Sequence, residues 1–182
     1  RPGPVLVDIP KDLQAEEFDF IYPQEPILLP GENPVISDID LNSLEQAASL
    51  ISESKRPVIL AGHGILLSGA SKEVIELSEK GNIPSSWTLL GSGAVPASHR
   101  LNMGMMGMHG EFAANNAIQK ADLLIACGMR FDDRVTGNTK TYSLESKKIH
   151  IEIDPSEINK NVPVDVALVG DLKSILTKLI PL

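Results

Sequence analysis

The ten residues from Gly128 to Gly137 read G-M-R-F-D-D-R-V-T-G and follow directly on the apolar run Ala121 to Cys127. A buried strand ending at Cys127 would deliver two arginines, Arg130 and Arg134, and two aspartates, Asp132 and Asp133, to its carboxyl end. In open α/β sheets that end of the strands is where ligands bind. Arginine offers a planar, permanently charged fork to phosphates and carboxylates, and aspartate accepts hydrogen bonds from ribose hydroxyls or from the arginines themselves. The competing reading is a solvated loop whose four charges pair with one another.

Other constellations point the same way without deciding the matter. Gly62-His63-Gly64 follows the apolar run Pro57 to Ala61, and glycines there let backbone amides approach a ligand closely. G-x-G-x-x-G is incomplete, because Leu67 holds the third glycine position, and a plain strand-to-helix turn accounts for the pair equally well. The stretch Met103 to Gly110 has glycine at 104, 107 and 110, with four of the chain's five methionines inside six residues. Such a loop is soft and polarizable and suits a flat aromatic ligand or a mobile protein surface; the alternative is that the methionines fill gaps in the core. Glu152 ends an apolar alternation, where a carboxylate is placed for ribose or adenine contacts, and Asp171 precedes the last helix, where capping is its plain role. Neither a nucleophile elbow nor an isolated carboxylate pair is present, so the chain reads as a binder with no catalytic set of its own.

These groups sit in 182 residues, 42% of them hydrophobic, with a mean hydropathy of +0.02. That is enough for one ordinary domain with an appendage and a substantial core. No apolar stretch is long enough to span a bilayer and nothing resembles a signal peptide, so a cytoplasmic location is expected, or a plastid or mitochondrial one in a eukaryote. A net charge of −8 argues against a nucleic-acid surface, and its distribution is uneven: residues 1–34 hold two basic and seven acidic side chains. A single cysteine, Cys127, excludes an internal disulfide, and its apolar setting predicts a buried, inert thiol. Histidines 63, 99, 109 and 150 lack zinc-ligand spacing, so no metal is expected in this chain. The opening Arg1-Pro-Gly-Pro without an initiator methionine suggests a piece of a longer protein.

The elements that must position these groups follow from pattern. Seven of 13 prolines fall in residues 1–34, which predicts one short strand, Val5 to Ile9, and then an extended acidic connector from Gln14 to Pro34. A lone strand cannot fold, so this one is assigned to the sheet of a preceding domain, lying outside the main body. Apolar residues at 41, 44, 47, 48 and 51 mark an amphipathic helix with Asp40 as its cap. Strands are expected at 57–62, 83–90, 122–127, 148–153 and 165–169, and helices at 68–80, 111–120 and 172–179; residues 91–110 read as a glycine-broken loop. Lys148 to Ile153 alternates apolar and polar. This β-α repetition calls for a doubly wound parallel sheet with helices on both faces.

Taken together the sequence resembles the central domain of acetohydroxyacid synthases, also called acetolactate synthases, which are thiamine-diphosphate-dependent enzymes of three domains. The stretches that carry the resemblance are Arg1 to Asp12, Gly104 to Gly110, Ala113-Ala114-Asn115, Arg130 to Gly137 and Ile153 to Glu157. The resemblance implies a Rossmann-like, six-stranded parallel sheet of the DHS-like NAD/FAD-binding type at 36–182, with 1–35 as the tail of a preceding pyrimidine-binding domain plus linker. It also implies bound FAD that does no net redox work. Gly62, His63 and Gly64 would line the pyrophosphate turn; Thr88 and Leu89, with Gly107, Met108 and His109, would flank the flavin. Gly128, Arg130, Asp132, Arg134 and Val135 would grip the phosphates and ribityl chain, Glu152, Ile153, Asp171 and Leu172 the adenosine end, and Arg1 would reach in from the linker.

Two positions depart from the family pattern: His63 stands where a further glycine is usual, and Trp87 where a small residue is usual, with the flavin side crowded as the expected result. The implied reaction joins pyruvate, decarboxylated on thiamine diphosphate, to pyruvate or 2-oxobutyrate in branched-chain amino-acid biosynthesis. Thiamine diphosphate and Mg2+ would be held by flanking domains of the same chain, in a homodimer or tetramer with a possible regulatory small subunit. Gly170-Asp171-Leu172 is not the family's Gly-Asp-Gly metal motif, so the chain alone is expected to be inactive and to hold FAD weakly, with its two loops mobile. Arg134, the outer arginine, is the substrate-side candidate. A structural or ADP-binding central domain of another thiamine enzyme, and a stand-alone nucleotide-binding module, are the alternatives.

Overall fold

Five consecutive apolar residues, Leu123–Cys127, are all buried, and so are four of the five in Pro57–Ala61. Strands this apolar on both sides need cover on both faces, and they occupy the centre of a six-stranded, all-parallel sheet. Its strands are β1 (Pro57–Ala61), β2 (Ser85–Trp87), β3 (Asn102–Met105), β4 (Leu123–Cys127), β5 (Lys147–Glu152) and β6 (Val166–Val169), in the order β3-β2-β1-β4-β5-β6. The computed structural model describes residues 4, 6–22, 24 and 39–182.

The chain divides into two units, Arg1–Val35 and Ile36–Leu182. In the first, the described residues form a short 3-10 turn at Leu13–Ala15, and Phe18, Phe20 and Tyr22 meet edge to face with ring centroids 6.4 and 6.1 Å apart. Residues 6–9 are irregular and exposed, so the strand expected at Val5 to Ile9 is not formed among them; Arg1, Val5 and most of the connector lie outside the described residues. A strand with no neighbour to receive its hydrogen bonds has nothing to hold it extended.

In the second unit the helices are α1 (Leu41–Glu53), α2 (Gly64–Leu67), α3 (Ser71–Gly81), α4 (Phe112–Lys120), α5 (Asp133–Thr136) and α6 (Leu172–Leu179). Inward-facing Ile59, Ile125, Ile149 and Ile151 pack against Leu44, Val74, Ile175 and Leu176 of α1, α3 and α6. The opposite face, with Val58, Leu60, Leu124 and Ala126, is covered by Ile118 of α4 and by Met129, Phe131 and Tyr142 from the segment after β4. Asp40 caps α1 as its position predicts, accepting from the Asn42 and Ser43 amides at 3.2 Å each. At the amino edge of the sheet, Asp122 accepts from the Lys55 and Arg56 amides at 2.8 Å each, and Asp165 from the Lys148 amide at 2.9 Å. Each aspartate thus ties the start of its own strand to the start of a neighbour.

Within the second unit the structure also departs from the sequence pattern at β3, β2 and α3. A sixth strand, β3, lies within the stretch read as loop. Gly104, at φ +91°, puts one extra residue into β3 between the pairs Ser85–Asn102 and Trp87–Met105, and this bulge hides the strand's alternation. The strand read at 83–90 is only three residues long, because Thr88 opens a 3-10 turn at Leu89–Gly91 and its hydroxyl accepts from the Gly91 amide. The helix read at 68–80 begins at Ser71, because Gly69, at φ +64°, separates it from α2.

Two glycines with the same backbone conformation test what packing adds to strain. A Cβ on Gly128 (φ +60°) would lie 2.6 Å from Gly64 Cα, whereas one on Gly69 (φ +64°) would meet nothing within 4 Å. Gly69→Ala is expected to cost about 1 kcal/mol, the left-handed penalty alone. Gly128→Ala should cost about 3 kcal/mol or more, because backbone must move as well. Urea denaturation of both variants checks this, and equal losses would refute the packing role.

Candidate functional site

Parallel pairing brings the carboxyl ends of the strands into one line. Met105 pairs with Trp87, Trp87 with Ala61, Ala61 with Cys127, Cys127 with Ile151, and Glu152 with Val169. Every described residue predicted to contact a ligand follows or ends one of these strands. His63 and Gly64 leave β1, Thr88 and Leu89 leave β2, and Gly107, Met108 and His109 leave β3. Gly128 to Val135 leave β4, Glu152 ends β5 with Ile153 beyond it, and Asp171 and Leu172 follow β6. Arg1 lies outside the described residues.

The strand order reverses between β1 and β4, and the turns that leave these neighbours meet through bare backbone. Gly62 N donates to Cys127 O and Gly64 N to Gly128 O, each at 2.9 Å. A Cβ on Gly62 would sit 2.2 Å from Gly128 O, and one on Gly64 2.7 Å from Gly128 Cα. The three glycines are therefore required by each other, whatever ligand lies above them. His63 between them is exposed.

Beyond Gly128 the side chains alternate: Met129 and Phe131 are buried at 6% and 3%, while Arg130 between them is 57% exposed. Asp132 opens α5, accepting from the Arg134 amide at 3.1 Å, and stands 3.7 Å from Arg130 Nε. The methionine loop is locked onto the same segment. Met108 N donates to Arg134 O at 2.8 Å, and Gly107 lies so close that a Cβ there would meet Arg134 O at 2.5 Å. The Asn115 amide clamps Gly107 from α4, accepting from its N–H and donating to its carbonyl at 2.9 Å each. Of the four methionines only Met108, at 60% exposure, is presented outward; Met106 is buried in the second core and Met103 packs against it.

The edge's other carboxylates also serve the backbone. Glu152 accepts from the Ile153 and Asp154 amides at 3.0 and 3.3 Å, and Asp171 caps α6 through the Ser174 amide at 2.9 Å. Leu172 is part of the first core. Trp87 turns toward that core as well, its indole N–H donating to Asn102 Oδ1 at 3.2 Å. Its size is thus accommodated by β3 and the core.

The alternation in β5 proves to be burial on both faces. Lys148, His150 and Glu152 are 7%, 0% and 6% exposed. Lys148 Nζ donates to the Ser143 and Ser146 carbonyls, and His150 Nε2 lies 2.7 Å from Met129 O. A carbonyl only accepts, so Nε2 carries the proton and Nδ1, which has no partner, is bare. Burial lowers the imidazole's pKa against the opposing pull of Met129 O and of Glu152 and Glu157. Cys127 is fully buried and its thiol is pushed up to about 12, which removes it as a nucleophile. Among the described residues no cluster of three or more His, Cys, Asp or Glu is placed to hold a metal ion, and no helix is long and apolar enough to cross a membrane.

Comparison with known proteins decides the family. Residues 44–179 match the family model of the thiamine pyrophosphate enzyme central domain. The chain belongs to that family. This thiamine pyrophosphate enzyme central domain is 50% identical over 182 residues to a probable acetolactate synthase large subunit of Methanocaldococcus jannaschii, covering 99% of the chain and 31% of the relative. It is 49% identical over 180 residues to the acetolactate synthase large subunit of Corynebacterium glutamicum, covering 99% of the chain and 28% of the relative. The chain therefore spans about a third of the length of these relatives.

Three residues of this central domain carry positioning contacts to which the sequence reading gave no role: Asn115, His150 and Asn161. His150 left a signal, since three polar residues on one face of a strand in an α/β sheet must each find a partner. Asn115 stands in a stretch that carries the family resemblance, but no contact followed from it, and Asn161 left no signal; their partners are backbone atoms 8 and 30 residues away.

Two outcomes are expected. Asn115→Ala should speed hydrogen exchange at the Gly107 and Met108 amides and cost about 1 to 2 kcal/mol, while unchanged exchange would show that the loop holds without its clamp. Because His150 has a lowered folded pKa, its contribution to stability is present above the unfolded value of about 6.5 and lost as pH falls from there toward the folded value. Between pH 7.5 and 5.5 the parent should therefore lose stability more steeply than His150→Gln, by up to about 1.4 kcal/mol per pH unit. Parallel slopes in urea titrations would mean the ring is charged in the fold.

Proposed function

We propose that this chain is the FAD-binding central domain of an acetolactate synthase large subunit. The protein that contains it would condense pyruvate with a second 2-oxoacid, pyruvate or 2-oxobutyrate, toward the branched-chain amino acids. One observation carries the reading: the Arg130 to Gly137 loop leaves β4 at the point where the strand order reverses. High identity along nearly the whole chain to proteins named acetolactate synthase supports it. Residues 36–182 would be the flavin domain, and residues 1–35 the tail of a pyrimidine-binding domain with its linker, Arg1 included. Flanking domains would hold thiamine diphosphate and Mg2+, and the whole enzyme would be a soluble homo-oligomer with a possible small regulatory subunit.

The carboxyl edge fits a flavin dinucleotide. Leu89, Met108 and Ile153, 74%, 60% and 46% exposed, offer apolar surface to a flat ring, and Arg130, exposed beyond β4, offers a cation to the diphosphate. Asp132, Glu152 and Asp171 accept from backbone amides, which tempers their repulsion of an anion. Gly62, His63, Gly64, Thr88, Gly107, His109, Gly128, Val135 and Leu172 complete the proposed lining. As the resemblance to acetohydroxyacid synthases implies, the flavin would contribute binding and structure with no net redox work. The domain's own part is to bind and orient; the bond-making steps belong to the flanking domains.

The two arginines separate the roles. Arg130 should hold the flavin's phosphate and ribityl region, and Arg134 should attract the carboxylate of the second 2-oxoacid. A chimaera carrying this chain in place of the matching segment of the Methanocaldococcus relative provides a complete enzyme in which to measure both. Arg130→Ala should weaken flavin binding about ten- to a hundredfold, and Arg134→Ala should raise the 2-oxoacid requirement by a similar factor at near-normal flavin content. Flavin titration and acetolactate formation read the two effects. A folded chimaera that takes ADP with no preference for FAD would overturn the flavin reading in favour of an ADP-binding central domain.

A further inference from the structure

The main chain on both sides of Arg130 is held by side chains from elsewhere in the fold. On one side, His150 Nε2 donates to Met129 O at 2.7 Å from β5. On the other, Asn161 Nδ2 donates to Phe131 O at 3.0 Å from the connector that leads to β6. The flanking side chains are fixed as well. Met129 and Phe131 are buried in the second core, and Phe131 stands edge-on to His150 at 5.1 Å and to Tyr142 at 6.2 Å.

We propose that His150 and Asn161 are a positioning pair for Arg130, immobilising the carbonyls of residues 129 and 131 so that the exposed guanidinium starts from one fixed main-chain position. An arginine side chain has many rotamers to lose on binding, and a rigid anchor leaves only that loss to be met when an anion docks. The two donors act from opposite sides of one residue, so loss of either removes one of the two polar restraints on the main chain beside Arg130. The immobilisation concerns the ligand-free chain; its effect on FAD rests on the flavin reading proposed above.

The test uses Asn161→Ala, at an exposed position, as its main variant, with His150→Phe as a second that keeps ring volume but removes the donor. Asn159→Gly is the control. Asn159 lies in the same connector but holds the Val164 amide at 2.8 Å, and glycine tolerates its positive φ of 59°. In the ligand-free chain, NMR relaxation at the Arg130 and Phe131 amides should report greater mobility in Asn161→Ala than in parent or control. In the chimaera, Asn161→Ala should weaken FAD about three- to tenfold, and the effect should vanish when Arg130→Ala is already present. Unchanged relaxation overturns the proposal. So does an Asn161 effect on FAD that persists at full size without Arg130. Should FAD fail to bind the parent chimaera, the flavin reading falls, and ligand-free relaxation alone decides the positioning pair.

Discussion

Two turns leave neighbouring parallel strands at the middle of the sheet and head for opposite faces. The one after β1 leads toward α3 and the first core, and the one after β4 toward Phe131, Tyr142 and the second. They can do so only if their backbones touch before parting. Gly62, Gly64 and Gly128 provide that contact, with two hydrogen bonds of 2.9 Å and no room for a Cβ on any of the three. The strand order reverses at this point, and the arginine loop starts at Arg130, two residues beyond Gly128. The bareness of these positions is a demand of chain upon chain, independent of any ligand.

From that point outward, rigidity comes from polar side chains that bind backbone. Asn115 holds Gly107, His150 and Asn161 hold the residues around Arg130, and Asp132, Asp171 and Glu152 each hold a turn or helix start. Irregular backbone cannot satisfy itself, so groups from neighbouring elements supply the missing partners. The cost is burial of titratable groups within the sheet, most clearly in β5, where Lys148 and His150 are enclosed and both pKa values are lowered by burial.

Much of this was legible in the sequence. The apolar runs at β1 and β4 declared a parallel interior, and Asp40 and Asp171 declared the helix starts they cap. The line of polar groups at the strands' carboxyl ends followed from placing the strands. What stayed hidden was whatever depends on contact between distant residues. The bulge at Gly104 breaks the two-residue alternation that would have announced β3. The glycines at 62 and 64 read as a ligand turn or a plain strand-to-helix turn, but their close approach to Gly128 is not legible, because Gly128 is more than sixty residues away in the chain. The buried polar face of β5 reads as ordinary alternation until the segment after β4 is known to cover it, with Phe131 5.1 Å from His150 and the Ser143 and Ser146 carbonyls on Lys148.

The amino edge of the sheet is built on another plan. There Asp122 and Asp165 pair strand starts, Lys147 adds a 2.9 Å contact to Asp165, and Arg56 reaches the Lys120 carbonyl. These bonds set which residue lies opposite which, and through the strands they fix how the far ends line up. Alignment is thus set at one rim of the sheet, and the proposed ligand edge is the other rim, about five residues away along the central strands. A lineage can exchange the loops at one rim, and with them the bound molecule, while the other rim continues to specify the same fold.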